Sequence, residues 1–195
     1  MNINPISHFR RLSDLMTRAQ ATDQNGNALS LEDAISTALD MILHNDRKIM
    51  VIGNGGSATI ASHIHNDLCN SVGIPAMVFT DASQLTSLSN DYGYGTVFER
   101  PIDLWAKPVD LLWSISSSGK SENILKAVRM AKTKGCEIMT FSGFRSDNPL
   151  RQMGQINFYI PSDNYGEVEV SHLAFGHYLT DCAMKSRIKA GKSAS

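Results

Sequence analysis

Two runs of glycine and serine, Gly53-Asn54-Gly55-Gly56-Ser57 and Ser116-Ser117-Ser118-Gly119-Lys120-Ser121, each follow directly on an apolar run, Ile49-Met50-Val51-Ile52 and Leu111-Leu112-Trp113-Ser114-Ile115. An apolar run of that length bounded by small residues reads as a buried strand that turns sharply into a helix. Small residues at a strand-to-helix bend let backbone N–H groups approach an anion, and the helix start adds a favourable dipole. Two such bends in one chain constrain the fold to strand-helix units that present both helix starts to one anionic ligand, with phosphate the obvious occupant.

The rest of the chain fits that pattern. Ser30 caps a helix carrying Leu31, Ile35, Leu39 and Ile42 at helical spacing, with Asp33 as the capping-box acid. Strands are expected at 48–53, 76–80, 110–115, 137–142 and 158–160, and helices at about 57–70, 121–134 and 166–188. Ile124, Leu125, Val128 and Met130 mark the apolar side of the second of these helices. Segment 81–108, with turn residues at Asn90-Asp91-Tyr92-Gly93, is left without assigned elements. Alternating strands and helices predict an α/β fold: a single three-layer αβα domain with a mostly parallel sheet. That domain spans 1–195, with a helical N-terminal segment over about 1–46 and a short basic tail over about 189–195. Ligands of such sheets bind beyond the carboxyl ends of the strands, where both bends fall.

With 18 basic and 19 acidic residues, the charge balance gives no broad surface for nucleic acid or membrane. No apolar run has the length of a signal peptide or a membrane span. Cys69, Cys136 and Cys182 lack CxxC spacing and cannot all pair with one another, which points to reduced thiols and a cytoplasmic protein.

Each bend alone is ambiguous. Gly53-Asn54-Gly55-Gly56-Ser57-Ala58 satisfies the dinucleotide pattern, with Asp81 as a possible ribose acid, and 114–121 resembles a P-loop except that Ser114 replaces its first glycine. Either bend could also simply join strand to helix. Ser116, Ser117, Ser118 and Ser121 together exceed what one helix cap needs, however, and their hydroxyls can hold phosphate oxygens. No nucleotide cofactor is expected.

His63 and Asp67 are four apart on the helix that opens at Ser57, and Glu169 and His177 are eight apart on the terminal helix. Each pair shares one helical stripe. An imidazole and a carboxylate from each helix would form an oxygen/nitrogen site suited to Zn²⁺ or a related divalent ion, one per site. His65 and His172 are angularly displaced from these stripes and are assigned no chemistry.

Taken together, 53–57, His63, the run Ser87-Leu88-Ser89-Asn90-Asp91-Tyr92-Gly93-Tyr94 and the run from Ile115 to Asn123 resemble the sugar isomerase (SIS) domain family, and within it the phosphoheptose isomerases, over about residues 30 to 185. The resemblance implies an SIS-like fold and conversion of sedoheptulose 7-phosphate to D-glycero-D-manno-heptose 7-phosphate through an enediolate, an early step toward bacterial surface polysaccharide (lipopolysaccharide). It implies a homotetramer with sites at subunit interfaces. By position, Asn54, Gly55, Gly56 and Ser57 would meet substrate, Ser116, Ser117, Ser118 and Ser121 would hold its phosphate, and Asn90 and Asp91 would bind sugar hydroxyls. His63, Asp67, Glu169 and His177 fall on the family's metal and acid/base positions. There Asp67 would move the carbon-bound proton, His177 the oxygen-bound proton, and Glu169 would serve as reserve base. The family usually carries Glu at the position of Asp67 and Gln at that of Glu169. The alternative is a non-catalytic SIS module that senses a phosphosugar or binds a replication initiator.

Overall fold

The computed structural model describes residues 4–44 and 46–193, with side chains through Lys189. Five parallel strands make up one side of a seven-stranded sheet: β3 (Ile49–Gly53), β4 (Ala76–Val78), β5 (Leu111–Ser116), β6 (Glu137–Ser142) and β7 (Ile156–Tyr159). A hairpin of β1 (Gln20–Asp23) and β2 (Ala28–Leu29) extends it by antiparallel pairing, giving the order β2-β1-β7-β6-β5-β3-β4. The helices are α1 (Pro5–Thr17), α2 (Leu31–Leu43), α3 (Gly56–Asn66), α4 (Ala82–Tyr92), α5 (Glu99–Trp105), α6 (Glu122–Thr133) and α7 (Tyr165–Ser193).

Strand alternation divides the core in two. Ile49, Val51, Trp113, Ile115, Met139 and Phe141 point to the face covered by α2, α3 and α7, while Met50, Ile52, Leu112 and Ile138 point to the face covered by α5 and α6. Because both faces are buried, the strands read as continuous apolar runs, as parallel sheets do. The three-layer α/β expectation holds.

Several details differ from the sequence reading. The segment 1–46, expected to be helical, contains the β1–β2 hairpin. On α2 the innermost residues are Ala34, Ala38, Met41 and Ile42, while Leu31, Ile35 and Leu39 lie half-buried along the flank. Small alanines let the helix axis approach the sheet, so the larger side chains splay to either side. The capping prediction holds: Ser30 Oγ accepts the Asp33 N–H at 3.0 Å. The helix expected at 57–70 is α-helical only to Asn66 and continues as a wider π-helical turn, Asp67–Val72, ended by Gly73 in the left-handed conformation. Segment 81–108 forms α4, a 3₁₀ turn at Tyr94–Thr96 and α5. Asp81 caps α4 by accepting the Gln84 N–H, which gives it a structural task in place of a ribose. The helical backbone of α7 runs on to Ser193; the basic tail at 189–195 lies almost wholly outside the described side chains.

Candidate functional site

The two bends share one edge of the sheet. β3 and β5 are neighbours with Gly53 paired to Ile115, so both chains leave the sheet side by side at its carboxyl end. At the first bend the opening turn of α3 folds back over the strand end, so that a Cβ on Gly53 would lie 2.5 Å from the Ser57 carbonyl oxygen. Glycine is required there by backbone, which no rotamer change can relieve. Ala58 and Thr59 begin the helical bonding to Asn54 and Gly55, leaving the preceding N–H groups at the helix start for a ligand.

The second bend is braced from beneath. Gly119 N–H donates to the Ser116 carbonyl, Gly143 N–H to Ser117 and Leu150 N–H to Gly119. Ser121 occupies the position before α6 yet makes no side-chain cap bond, Ser116 and Ser121 hydroxyls stand 3.5 Å apart, and Ser117 Oγ is buried without a partner. These serines therefore do not serve as helix caps. Only Ser118 Oγ makes a local backbone contact, accepting the Lys120 N–H at 3.3 Å.

A side-chain bridge joins the bends. Asn54 Nδ2 donates to Asn123 Oδ1 at 2.9 Å and Asn123 Nδ2 donates to Asn54 Oδ1 at 2.9 Å. The Tyr94 hydroxyl also donates to Asn54 Oδ1, at 3.0 Å. Tyr94 and Asn123 both fall within the family-like runs of the sequence, yet nothing in their spacing shows a contact between residues 40 and 69 positions apart. Asn90 and Asp91 lie exposed in the last turn of α4, and Asn90 Nδ2 donates to Asp91 Oδ1.

Below the first bend, α3 and α7 run alongside each other, with Gly56 near Glu169 and Ile64 against Gly176. This alignment brings His63, Asp67 and His177 together, each offering one donor atom with all three within 4.8 Å of one another. Asp67 stands between the rings: Oδ2 is 3.2 Å from His177 Nδ1 and Oδ1 is 3.8 Å from His63 Nε2. The two imidazoles meet edge to face at 4.5 Å between centroids. Glu169 is not part of that cluster. It stands two turns higher on α7, against Gly56, and lines a cavity of about 280 Å³ with Thr59, Ile60, His63 and Leu173. Eight residues of helix separate Glu169 from His177 by about 12 Å along the axis, so within one chain a shared stripe does not put both on one ion.

The three clustered donors fit a divalent metal. Ligands about 2.0–2.2 Å from a tetrahedral ion stand about 3.4 Å apart, close to the 3.2 Å between Asp67 Oδ2 and His177 Nδ1, and one donor atom from each of the three residues lies within 4.8 Å of the others. His63 is exposed and the other two half-buried, so an ion can enter from solvent. A larger cavity, about 1020 Å³, lies elsewhere, at the amino ends of β3, β4 and β5 beside Lys48, Pro75 and Asp110. It includes none of the residues selected from sequence.

Fold and site together define a parallel α/β domain with paired anion-receiving bends at the carboxyl edge and a histidine–carboxylate cluster on the helices below. The chain belongs to the SIS domain family, whose profile matches residues 8–143, and within it groups with the phosphoheptose isomerases. The phosphoheptose isomerase of Sulfurimonas denitrificans is 33% identical over 172 residues, covering 85% of this chain and 88% of that protein. That of Aliarcobacter butzleri is 36% identical over 155 residues, covering 76% and 81%. The structure of a phosphoheptose isomerase from Francisella tularensis superposes with a TM-score of 0.78 at 27% identity, covering 93% of this chain and 96% of that one.

Proposed function

We propose that this protein is an aldose-ketose isomerase that converts sedoheptulose 7-phosphate to D-glycero-D-manno-heptose 7-phosphate. The observation that carries the reading is the meeting of His63, Asp67 and His177 on helices that descend from the edge holding both bends. Seven residues of α3 separate Gly56 from His63, about 10 Å, a span suited to a long phosphosugar gripped at its far end.

Isomerisation removes a proton from the carbon beside the carbonyl, stabilises an enediolate and returns the proton one carbon away. Asp67 carries the carbon-bound proton. His177 directs Nδ1 to Asp67, leaving Nε2 to move a proton between the substrate oxygens. Glu169, beside the first bend, is the reserve base. Ser116, Ser117, Ser118 and Ser121 with the backbone of 54–57 hold the phosphate, and this remote grip orients the reacting end. Asn90 and Asp91 bind sugar hydroxyls. His63, Asp67 and His177 would hold the divalent ion, with zinc the expected metal, and when bound it supplies Lewis-acid polarisation of the carbonyl and adjacent hydroxyl. The working assembly is a homotetramer with sites at its subunit interfaces, acting in the cytoplasm to supply aldoheptose phosphate for surface polysaccharide.

The test is a coupled isomerase assay with seven- and six-carbon ketose phosphates on protein purified without chelator, its metal content measured alongside. Turnover should favour the seven-carbon substrate. Asp67→Asn and His177→Ala should each lower kcat about 10²–10⁴-fold with circular dichroism unchanged; full activity in both variants would remove these assignments.

A further inference from the structure

A bond made by the backbone at the start of α6 fixes the orientation of Asn54. Ile124 N–H donates to Asn123 Oδ1 at 3.0 Å. A backbone N–H can only donate, so the atom it meets must be the amide oxygen of Asn123, and the nitrogen of that amide therefore faces Asn54. The partner of that nitrogen must in turn be Asn54 Oδ1, which places Asn54 Nδ2 against Asn123 Oδ1. The Tyr94 hydroxyl then meets the remaining lone pair of Asn54 Oδ1 and has to be the donor. Each amide oxygen has two lone pairs, and both oxygens are now fully used. Of the two Nδ2 hydrogens of Asn54, one is spent on Asn123 and the other has no partner among the described residues. Asn123 is buried, whereas Asn54 is half-buried at the mouth of the bend.

We propose that Asn123 and Tyr94 are positioning residues that lock the Asn54 amide with its uncommitted N–H turned to the substrate phosphate held between the two bends. This rests on the isomerase reading above. A flipped Asn54 would present its carbonyl oxygen to that anion. Three chain segments, the 3₁₀ turn at Tyr94–Thr96, the first bend and the start of α6, thus agree on the direction of one hydrogen.

Tyr94→Phe is the mild test, because Tyr94 is 53% exposed and only one hydrogen bond is lost. It should lower kcat/KM about fivefold, the scale of one neutral hydrogen bond, mainly through KM, since a contact made in the ground state and kept in the transition state appears there. On an Asn54→Ala background the same change should have no effect. Asn123→Asp, which removes the donor facing Asn54 Oδ1, should lower kcat/KM more than Tyr94→Phe does. The side-chain amide resonances of Asn54 in ¹⁵N NMR should move in both single variants, a readout that needs no turnover. Wild-type protein without isomerase activity would defeat the functional reading while the amide shifts still test the lock. Unmoved Asn54 resonances, or equal loss from Tyr94→Phe with and without Asn54, would overturn the proposal.

Discussion

His172 lies wholly inside the contact between α7 and the sheet, with Nε2 3.1 Å from the Ser142 carbonyl oxygen and Nδ1 without a partner. The carbonyl can only accept, so Nε2 carries the hydrogen and the neutral ring leaves Nδ1 as the bare atom. Burial pushes its pKa down to about 4, against the small upward effect of the Ser142 bond. A depressed value means that the unfolded chain, titrating near 6.5, takes up a proton the folded chain refuses. Its contribution to stability is thus complete above pH 6.5 and is lost as pH falls from there to about 4, by an amount on the order of 3 kcal/mol. His172→Gln keeps an N–H for Ser142 but cannot titrate. Urea unfolding at pH 7.5 and pH 5 should show the variant losing less stability than the wild type between the two, and parallel losses would refute the assignment. Helical angle alone separates His172 from His177: five residues of α7 turn through about 500°, leaving the two side chains about 140° apart, one toward the sheet and the other toward α3.

Among the elements, what sequence made legible was whatever local chemistry determines. The apolar runs of β3, β5 and β6, the Ser30 cap and both bends depend on neighbours a few residues away. The β1–β2 hairpin does not: Gln20-Ala21-Thr22-Asp23 has no strand-like alternation of its own and is held by pairing to β7, with Asn157 Nδ2 donating to the carbonyls of Thr22 and Asp23. The π-helical turn at Asp67 was equally hidden, and so was the distance of Glu169 from the cluster, since both follow from how α3 lies on α7. Gly176 governs that contact. A Cβ there would stand 2.8 Å from Ile64 Cδ1 and 3.0 Å from its Cγ1, and Ile64 is fully buried. Gly176→Ala should gain about 1 kcal/mol of helix propensity and lose about 1–3 kcal/mol to overpacking, for a net destabilisation on the order of 1 kcal/mol. Because the next residue is His177, divalent-ion affinity measured by calorimetry should fall as well. A stabilised variant with unchanged affinity would show that the helices tolerate separation at this point.

At the scale of the whole molecule, no helix among the described residues is long and apolar enough to cross a membrane, yet the surface is not uniformly polar. On α1, Ile6, Phe9, Leu12 and Leu15 recur every three residues; Leu12 and Leu15 are buried against the protomer, while Ile6 and Phe9 remain 58% and 63% exposed. Nearby, Arg11 fastens α1 to α7 through Glu167 at 2.5 Å, and the opening turns of α7 expose Tyr165 and Val170. An apolar stripe that runs beyond its own protomer is what a second copy would cover, and it lies on the helices that border Glu169 and the first bend. Burial of one Phe contributes about 1.5–3 kcal/mol, and a symmetric assembly repeats that gain in every subunit. In the homotetramer proposed above, Phe9→Glu should therefore shift the mass measured by light scattering toward smaller species with the far-ultraviolet spectrum unchanged. If sites are completed across the interface, isomerase activity should fall in proportion to the lost assembly as the protein is diluted. Unaltered mass would exclude α1 from the interface, and full activity in dissociated protein would make each protomer's site self-sufficient.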